Sequence, residues 1–197
     1  MESSGCNKEE ALEKLDEIDI KNIHKYGFVK ERYPHSLGKA YEYFSKKNNR
    51  KIIPELKNKI EEVGWQVYRQ IPELVDGVHR VLDILSQKYF LILATLGDPE
   101  VQEMKVSLTG LKKYFSAVYV LKHKNVEEYK NILVNHKLNQ KDTWIVGNSV
   151  RSDLNPGLQL GLNCILIPTL TWKFEEEEPL SEDFIQLNSL TGLLNYL

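Results

Sequence analysis

Three short apolar runs, each closed by polar residues and followed by a helical pattern, limit what this chain can fold into. The clearest lies within residues 144–168, WIVGNSVRSDLNPGLQLGLNCILIP. Trp144, Ile145 and Val146 suit a strand buried on both faces. Gly147 ends it with a sharp turn. Asn148, Ser149, Arg151, Ser152 and Asp153 then crowd the strand's C-terminal end, the edge at which open parallel sheets bind ligands. Pro156 and Gly157 fall early in a helix, and residues 163–167 supply another buried strand. Such a loop can hold an oxyanion, with Asp153 as a hard oxygen ligand for magnesium. The same residues also suit a helix N-terminus rich in capping groups.

The second run is YFLILAT, residues 89–95, the strongest strand signal in the chain. Thr95 ends it, and Asp98 followed by Pro99 reads as an N-cap and first helical position. A threonine hydroxyl between a strand end and a helix N-terminus can donate to a phosphate oxygen, or merely satisfy loop backbone groups. The third run is AVYVL, residues 117–121, with Lys122, His123 and Lys124 directly after it. A lysine there can neutralise phosphate or carboxylate charge, and a solvated loop tip is the plainer alternative.

The first 70 residues contain no strand pattern. Residues 7–26 carry Ala11, Leu12, Leu15, Ile18 and Ile23 at helical spacing, with Asn7 as cap and Gly27 as stop. Asp16 and Asp19, three apart on a charged helix, read as a solvated face. Residues 28–35 read as an irregular link, with Ser36 capping a second helix to about Lys47. A third helix runs from Pro54 to about Tyr68. Tyr41, Phe44 and Trp65 suit core packing at least as well as a ligand pocket. Beyond Pro168, the EEEE run at 175–178 reads as a solvated loop, residues 184–187 as an edge strand and 190–197 as a closing helix.

Composition narrows the function classes. The 197 residues hold 26 basic and 28 acidic side chains, a net charge of -2, which argues against a nucleic-acid binder that relies on bulk positive charge. A hydrophobic content of 42% supports a real core. No apolar run is long enough to span a membrane, and the polar, acidic N-terminus lacks a signal-peptide plan. Two cysteines, Cys6 and Cys164, make no disulfide framework. The expectation is a cytoplasmic protein that is a monomer or homodimer, with no nucleic-acid or membrane partner. No zinc spacing, GxGxxG or GxxxxGK[ST] loop occurs.

Strand–Thr, strand–Lys and strand–GNSxxSD, in that order and separated by helices, resemble the haloacid dehalogenase (HAD)-like hydrolase superfamily. LATLGD, residues 93–98, resembles its second motif, whose Ser or Thr binds the phosphoryl group. Lys124 resembles its third-motif lysine, with Lys122 as the other candidate. VGNSVRSDLNPG, residues 146–157, resembles its fourth motif. The resemblance implies an α/β, Rossmann-like three-layer α/β/α core over residues 71–197 and a helical cap-like subdomain over residues 1–70. It implies catalytic roles for Thr95 and Lys124, substrate contacts from Thr95, Leu96, Gly97 and Lys124, and magnesium ligands in Asp153 and Asn148. Asn148 stands where many members carry an acid, so it brings an oxygen but no charge.

The family's first strand, ending in DxDx[TV], is absent from this sequence; DEID at 16–19 has the wrong spacing and lies on a helix. Its first Asp is the nucleophile and its second the general acid/base, and neither Thr95, Lys124 nor Asp153 can replace them. Magnesium then binds weakly or not at all. That strand lies between the 89–95 and 144–146 strands in such folds. Its absence leaves backbone groups unpaired there, at roughly 1–3 kcal/mol for each one left unsatisfied. One expectation is therefore that Met1 is an internal methionine, with the strand encoded upstream. The leading functional reading is a magnesium-dependent phosphatase of a small phosphorylated metabolite, inactive as written. The alternative is a degenerate, non-catalytic member that binds a phosphorylated ligand or a protein partner, and the third is an unrelated doubly wound domain indifferent to magnesium.

Overall fold

The computed structural model describes residues 7–169 and 172–197, so Cys6 and the polar N-terminal residues lie outside the described residues. The chain forms two compact units, Met1–Ile71 with Gly97–Val101, and Pro72–Leu96 with Gln102–Leu197. Among the described residues no helix is long and apolar enough to cross a membrane.

The first unit contains α1 (Lys8–Tyr26), α2 (Arg32–Lys47) and α3 (Pro54–Arg69). Asn7 caps α1 by accepting from the Glu9 amide, and Gly27, at φ 74°, closes it by donating to the Ile23 carbonyl. Leu15, Leu37 and Ala40 form the buried core of this unit, with Ile18, Tyr33 and Ile60 packed around them. Helices α2 and α3 approach closely because Gly64 has no side chain; a Cβ there would stand 2.7 Å from Pro34 Cα. Lys30 draws Gly97–Val101 into the unit: its amide donates to Asp98 Oδ2 at 3.1 Å and its ammonium pairs with Glu100.

Two expectations change here. Helix α2 begins at Arg32 rather than after Ser36, because Pro34 falls in the first turn, where its missing N–H leaves no intrahelical bond unmade. Ser36 is fully buried inside the helix, its hydroxyl 2.7 Å from Asp19 Oδ1 and 2.9 Å from the Arg32 carbonyl. Asp19 is only 2% exposed and pairs with the Arg32 guanidinium, so it does not belong to a solvated face. Periodicity along α1 gives no sign of a cation delivered by a neighbouring helix.

The second unit contains α4 (Val78–Ser86), β1 (Ile92–Leu96), most of α5 (Pro99–Leu108), β2 (Ala117–Leu121), α6 (Val126–Asn135), β3 (Trp144–Gly147), α7 (Asn155–Gln159), β4 (Asn163–Leu166) and β5 (Ile185–Gln186). The strands fall on the apolar runs, although β1 starts at Ile92 and extends to Leu96. The closing element, Leu190–Asn195, is a 3-10 turn rather than an α-helix; Gly192 in its middle weakens α-helix formation.

All strand pairs are parallel, but the sheet is broken in two, β1 with β2 and β3–β4–β5. Along β4 side chains alternate between faces. Ile165 packs with Val81 and Leu85 of α4, whereas Cys164 and Leu166 pack with Leu133 of α6 and Leu154. Helices therefore cover both faces, giving an α/β/α arrangement. The β1-to-β2 crossover passes on the α4 face, where Tyr114 meets His79. The β2-to-β3 crossover, α6, lies on the opposite face. Right-handed crossovers on opposite faces travel in opposite directions, so β1 lies on the β3 side of β2. The unpaired edges of β1 and β3 thus flank the break. Ile145 of β3 packs with Ile92, Ala94 and Tyr119 around Leu121, Tyr129 and Ile132, so side chains span the break although no ladder of hydrogen bonds joins its edges among the described residues.

Candidate functional site

The loops leaving β2 and β3 meet. Lys124 follows β2 by three residues and is held there by Asn125, whose side chain caps α6 by accepting from the Glu128 amide at 2.9 Å. Its Nζ lies 2.6 Å from Asp153 Oδ1, and the two side chains are 15% and 6% exposed. Lys122 and His123 are exposed. Lys124 is therefore the lysine brought to Asp153. An ammonium carries three donors, so two remain for another anion.

Both carboxylate oxygens of Asp153 accept hydrogen bonds. Oδ1 also accepts from the Tyr129 hydroxyl at 3.0 Å, and Oδ2 from the Ser149 amide at 3.3 Å. Gly147 makes room for the carboxyl, since a Cβ there would lie 2.2 Å from Asp153 Cγ. Residues Val150–Leu154 form one wide π-type turn, closed by the Leu154 amide donating to the Ser149 carbonyl at 3.0 Å and capped by the Ser152 amide donating to Ser149 Oγ at 2.9 Å. Tyr129, buried in the first turns of α6, shares its one hydroxyl proton between Asp153 Oδ1 and the Ser152 carbonyl, 3.1 Å away. Burial first, and then the negative charge of Asp153, push the Tyr129 phenol far above its ordinary range, so it stays protonated and donating.

The acidic run is not simply a solvated loop. Glu175 Oε2 accepts from the hydroxyls of both Ser149 and Ser152, the latter at 2.6 Å. Arg151 donates to the Phe174 carbonyl at 3.1 Å and stacks over its ring. Asn155 donates to Glu177 Oε1 and the Glu178 carbonyl, both at 3.0 Å, and accepts from the Leu180 amide. Neither Tyr129 nor Glu175 stands out in the sequence. The available signal for Tyr129 is that α6 opens directly after β2, which puts its first turns at the sheet's C-terminal edge.

Thr95 sits at the same edge, in register with Val120 on β2, half-buried, and its hydroxyl makes no hydrogen bond among the described residues. The Leu96 carbonyl accepts from Gln102 Nε2 at 2.5 Å. Gly97, at φ 151°, belongs to the helical unit's part of the chain. Asn148 is exposed and donates from Nδ2 to Thr169 Oγ1 at 3.0 Å.

The donor set does not fit a resident magnesium ion. Mg2+ asks for near-octahedral oxygens, usually including one or two carboxylates free to bind it. Asp153 is the single carboxylate of this loop, with Oδ1 taken by Lys124 and Tyr129 and Oδ2 accepting from the Ser149 amide, while the Asn148 amide adds no charge. No group of three His, Cys, Asp or Glu residues suited to a metal occurs among the described residues.

A sequence profile of haloacid dehalogenase-like hydrolases matches residues 4–167. No curated protein matches the chain. Among solved structures, a haloacid dehalogenase-like family hydrolase from Xanthomonas campestris superposes with a TM-score of 0.77 at 23% identity, over 92% of this chain and 73% of that one. The HAD-hydrolase YfnB from Bacillus subtilis, crystallised with magnesium, gives 0.65 at 17% identity, over 98% and 83% of the chains. A protein from Haemophilus somnus described as a predicted phosphoglycolate phosphatase gives 0.61 at 14% identity, over 94% and 91%. At such identities these structures establish the fold alone, but the profile spans most of the sequence. The chain belongs to the haloacid dehalogenase-like hydrolases.

Proposed function

We propose that this chain binds the phosphoryl group of a small phosphorylated metabolite at the C-terminal edge of its strands. One observation carries the reading: Lys124 is fixed on Asp153 with two ammonium donors to spare, at the sheet edge where the Thr95 hydroxyl, near the end of β1, makes no hydrogen bond among the described residues. Thr95, Leu96, Gly97 and Lys124 are the ligand-binding residues in this reading, and the helical residues 1–70 are its cap-like part. A cation and a hydroxyl suit phosphoryl oxygens better than the carbon–halogen bond of a dehalogenase substrate.

Hydrolysis through an aspartyl intermediate needs a carboxylate in line with phosphorus and an acid for the leaving oxygen. Two aspartates follow the strands at this edge, and both are committed. Asp98 Oδ1 caps α5 through the Glu100 and Val101 amides, and its Oδ2 accepts from the Lys30 amide. Asp153 is held by Lys124, Tyr129 and Ser149. Ligand binding without turnover is the reading that these contacts favour for the residues in hand.

The test is p-nitrophenyl phosphate, followed by calorimetry and by colour. Saturable binding with no release of p-nitrophenol, with or without magnesium chloride, is the expected result. Release that disappears in Asp153→Ala would establish a hydrolase instead. Absence of binding would remove the phosphoryl site altogether.

A further inference from the structure

We propose that Glu175 is a positioning residue for this phosphoryl-binding site, an inference that rests on the function proposed above. A continuous set of direct bonds leads from it to the lysine. Glu175 Oε2 takes the hydroxyl protons of Ser149 and Ser152. With its proton so directed, Ser149 Oγ presents a lone pair to the Ser152 amide at 2.9 Å. The Ser149 amide then meets Asp153 Oδ2, and Asp153 Oδ1 meets Lys124.

Without an acceptor at Glu175, both hydroxyls would turn to nearby backbone carbonyls, and the turn, whose backbone bonds to the Ser149 carbonyl remain, would lose the orientation of its Ser149 side-chain cap. A π-type turn is a rare conformation with weak local propensity, so a side-chain tie at its first residue adds to the backbone bonds that close it. The tie is itself anchored. Arg151 holds the Phe174 carbonyl, and Asn155 holds both Glu178 and Leu180, so Glu175 is delivered to the serines from a segment fastened on either side. Glu175 has no ion-pair partner among the described residues, so its carboxylate serves hydroxyl donors of this one loop.

The experiment compares Glu175→Gln and Glu175→Ala with the parent chain, titrating inorganic phosphate by calorimetry and recording amide hydrogen exchange across residues 149–153. Glutamine keeps an oxygen that accepts both hydroxyls, so Glu175→Gln is expected to bind phosphate within about twofold of the parent, whereas Glu175→Ala weakens binding about tenfold, the scale of one lost hydrogen-bond acceptor. The Ser152 and Asp153 amides are expected to exchange about tenfold faster in the alanine variant alone. Thermal melts of both variants separate this pattern from general destabilisation, which would speed exchange throughout the unit. Parent-like phosphate affinity and exchange in Glu175→Ala would overturn the proposal, as would equal losses in the two variants. Should the parent bind no phosphate, the functional reading falls. The exchange pattern then decides the positioning role alone, and uniform exchange across the variants overturns it.

Discussion

Lys124 and Asp153 form an ion pair across the break between the two sheets: Lys124 follows β2 of the two-stranded sheet and Asp153 follows β3 of the three-stranded one, with 2.6 Å between their charged atoms. No backbone ladder links these sheets among the described residues. The pair therefore ties the loop that leaves β2 to the loop that leaves β3.

Lys124→Met leaves the Asp153 carboxylate buried without its counter-charge. The expected loss is about 3 kcal/mol, typical of removing one partner from a buried pair. Lys124→Met with Asp153→Leu is expected to recover at least half of that, because the stranded charge is gone. Urea unfolding of the single and double variants measures both.

Tyr129 gives the unit an alkaline limit. Its phenol is raised in the folded state by burial and by Asp153. Below about pH 10 the group is protonated whether folded or not, and its contribution is intact. Above that, the unfolded chain releases the proton first, so stability falls as pH rises, at roughly 1.4 kcal/mol per pH unit for one group. Tyr129→Phe is expected to be less stable at pH 7 by about 1–3 kcal/mol, from loss of the proton that Asp153 and the Ser152 carbonyl share, and to show a shallower decline above pH 10. Denaturant melts from pH 7 to 11 check both signs.

Gly147→Ala tests how closely Asp153 is packed. The new Cβ would stand 2.2 Å from a carboxyl that Lys124, Tyr129 and Ser149 hold in place. A cost of about 1–3 kcal/mol is expected from overpacking, together with weakened phosphate binding. Calorimetric titration beside a thermal melt reads the two effects.

The break in the sheet predicts a pattern of hydrogen exchange. Amides of β1 and β3 that point away from β2 and β4 have no ladder partner among the described residues, whereas β4 lies between two strands. They are expected to exchange at least about tenfold faster than β4 amides. Equal protection would mean that the break is closed in solution.

Most of this architecture is legible in the sequence because buried parallel strands leave apolar runs that little else explains. Val118, Val120, Ile145 and Ile165 lie in runs bounded by Gly, Asn or Lys, and each run became a strand. The broken sheet is legible too, from a strand that the motif order calls for and the sequence lacks. Side-chain choices are harder to read. Lys122 and Lys124 have the same chemistry and nearly the same position, and the carboxylate that distinguishes them, Asp153, lies 29 residues further on. Tyr129 looks like any aromatic on an apolar helix face, because its hydroxyl's partners are 23 and 24 residues away. Glu175 is hidden in a run of like charges, where composition points to solvent, although two serines 23 and 26 residues earlier in the chain claim its carboxylate. Asp19 is hidden for the same reason, its partner Arg32 being supplied by the next helix.

The most direct test of the central claim is a titration of the isotope-labelled chain with inorganic phosphate, followed by amide shifts in the parent and in Lys124→Met. A phosphoryl site at this edge predicts saturable shifts at Thr95, Leu96 and Lys124 in the parent, and their loss in the variant. Shifts that fail to saturate, or that persist unchanged without the Lys124 ammonium, would contradict it.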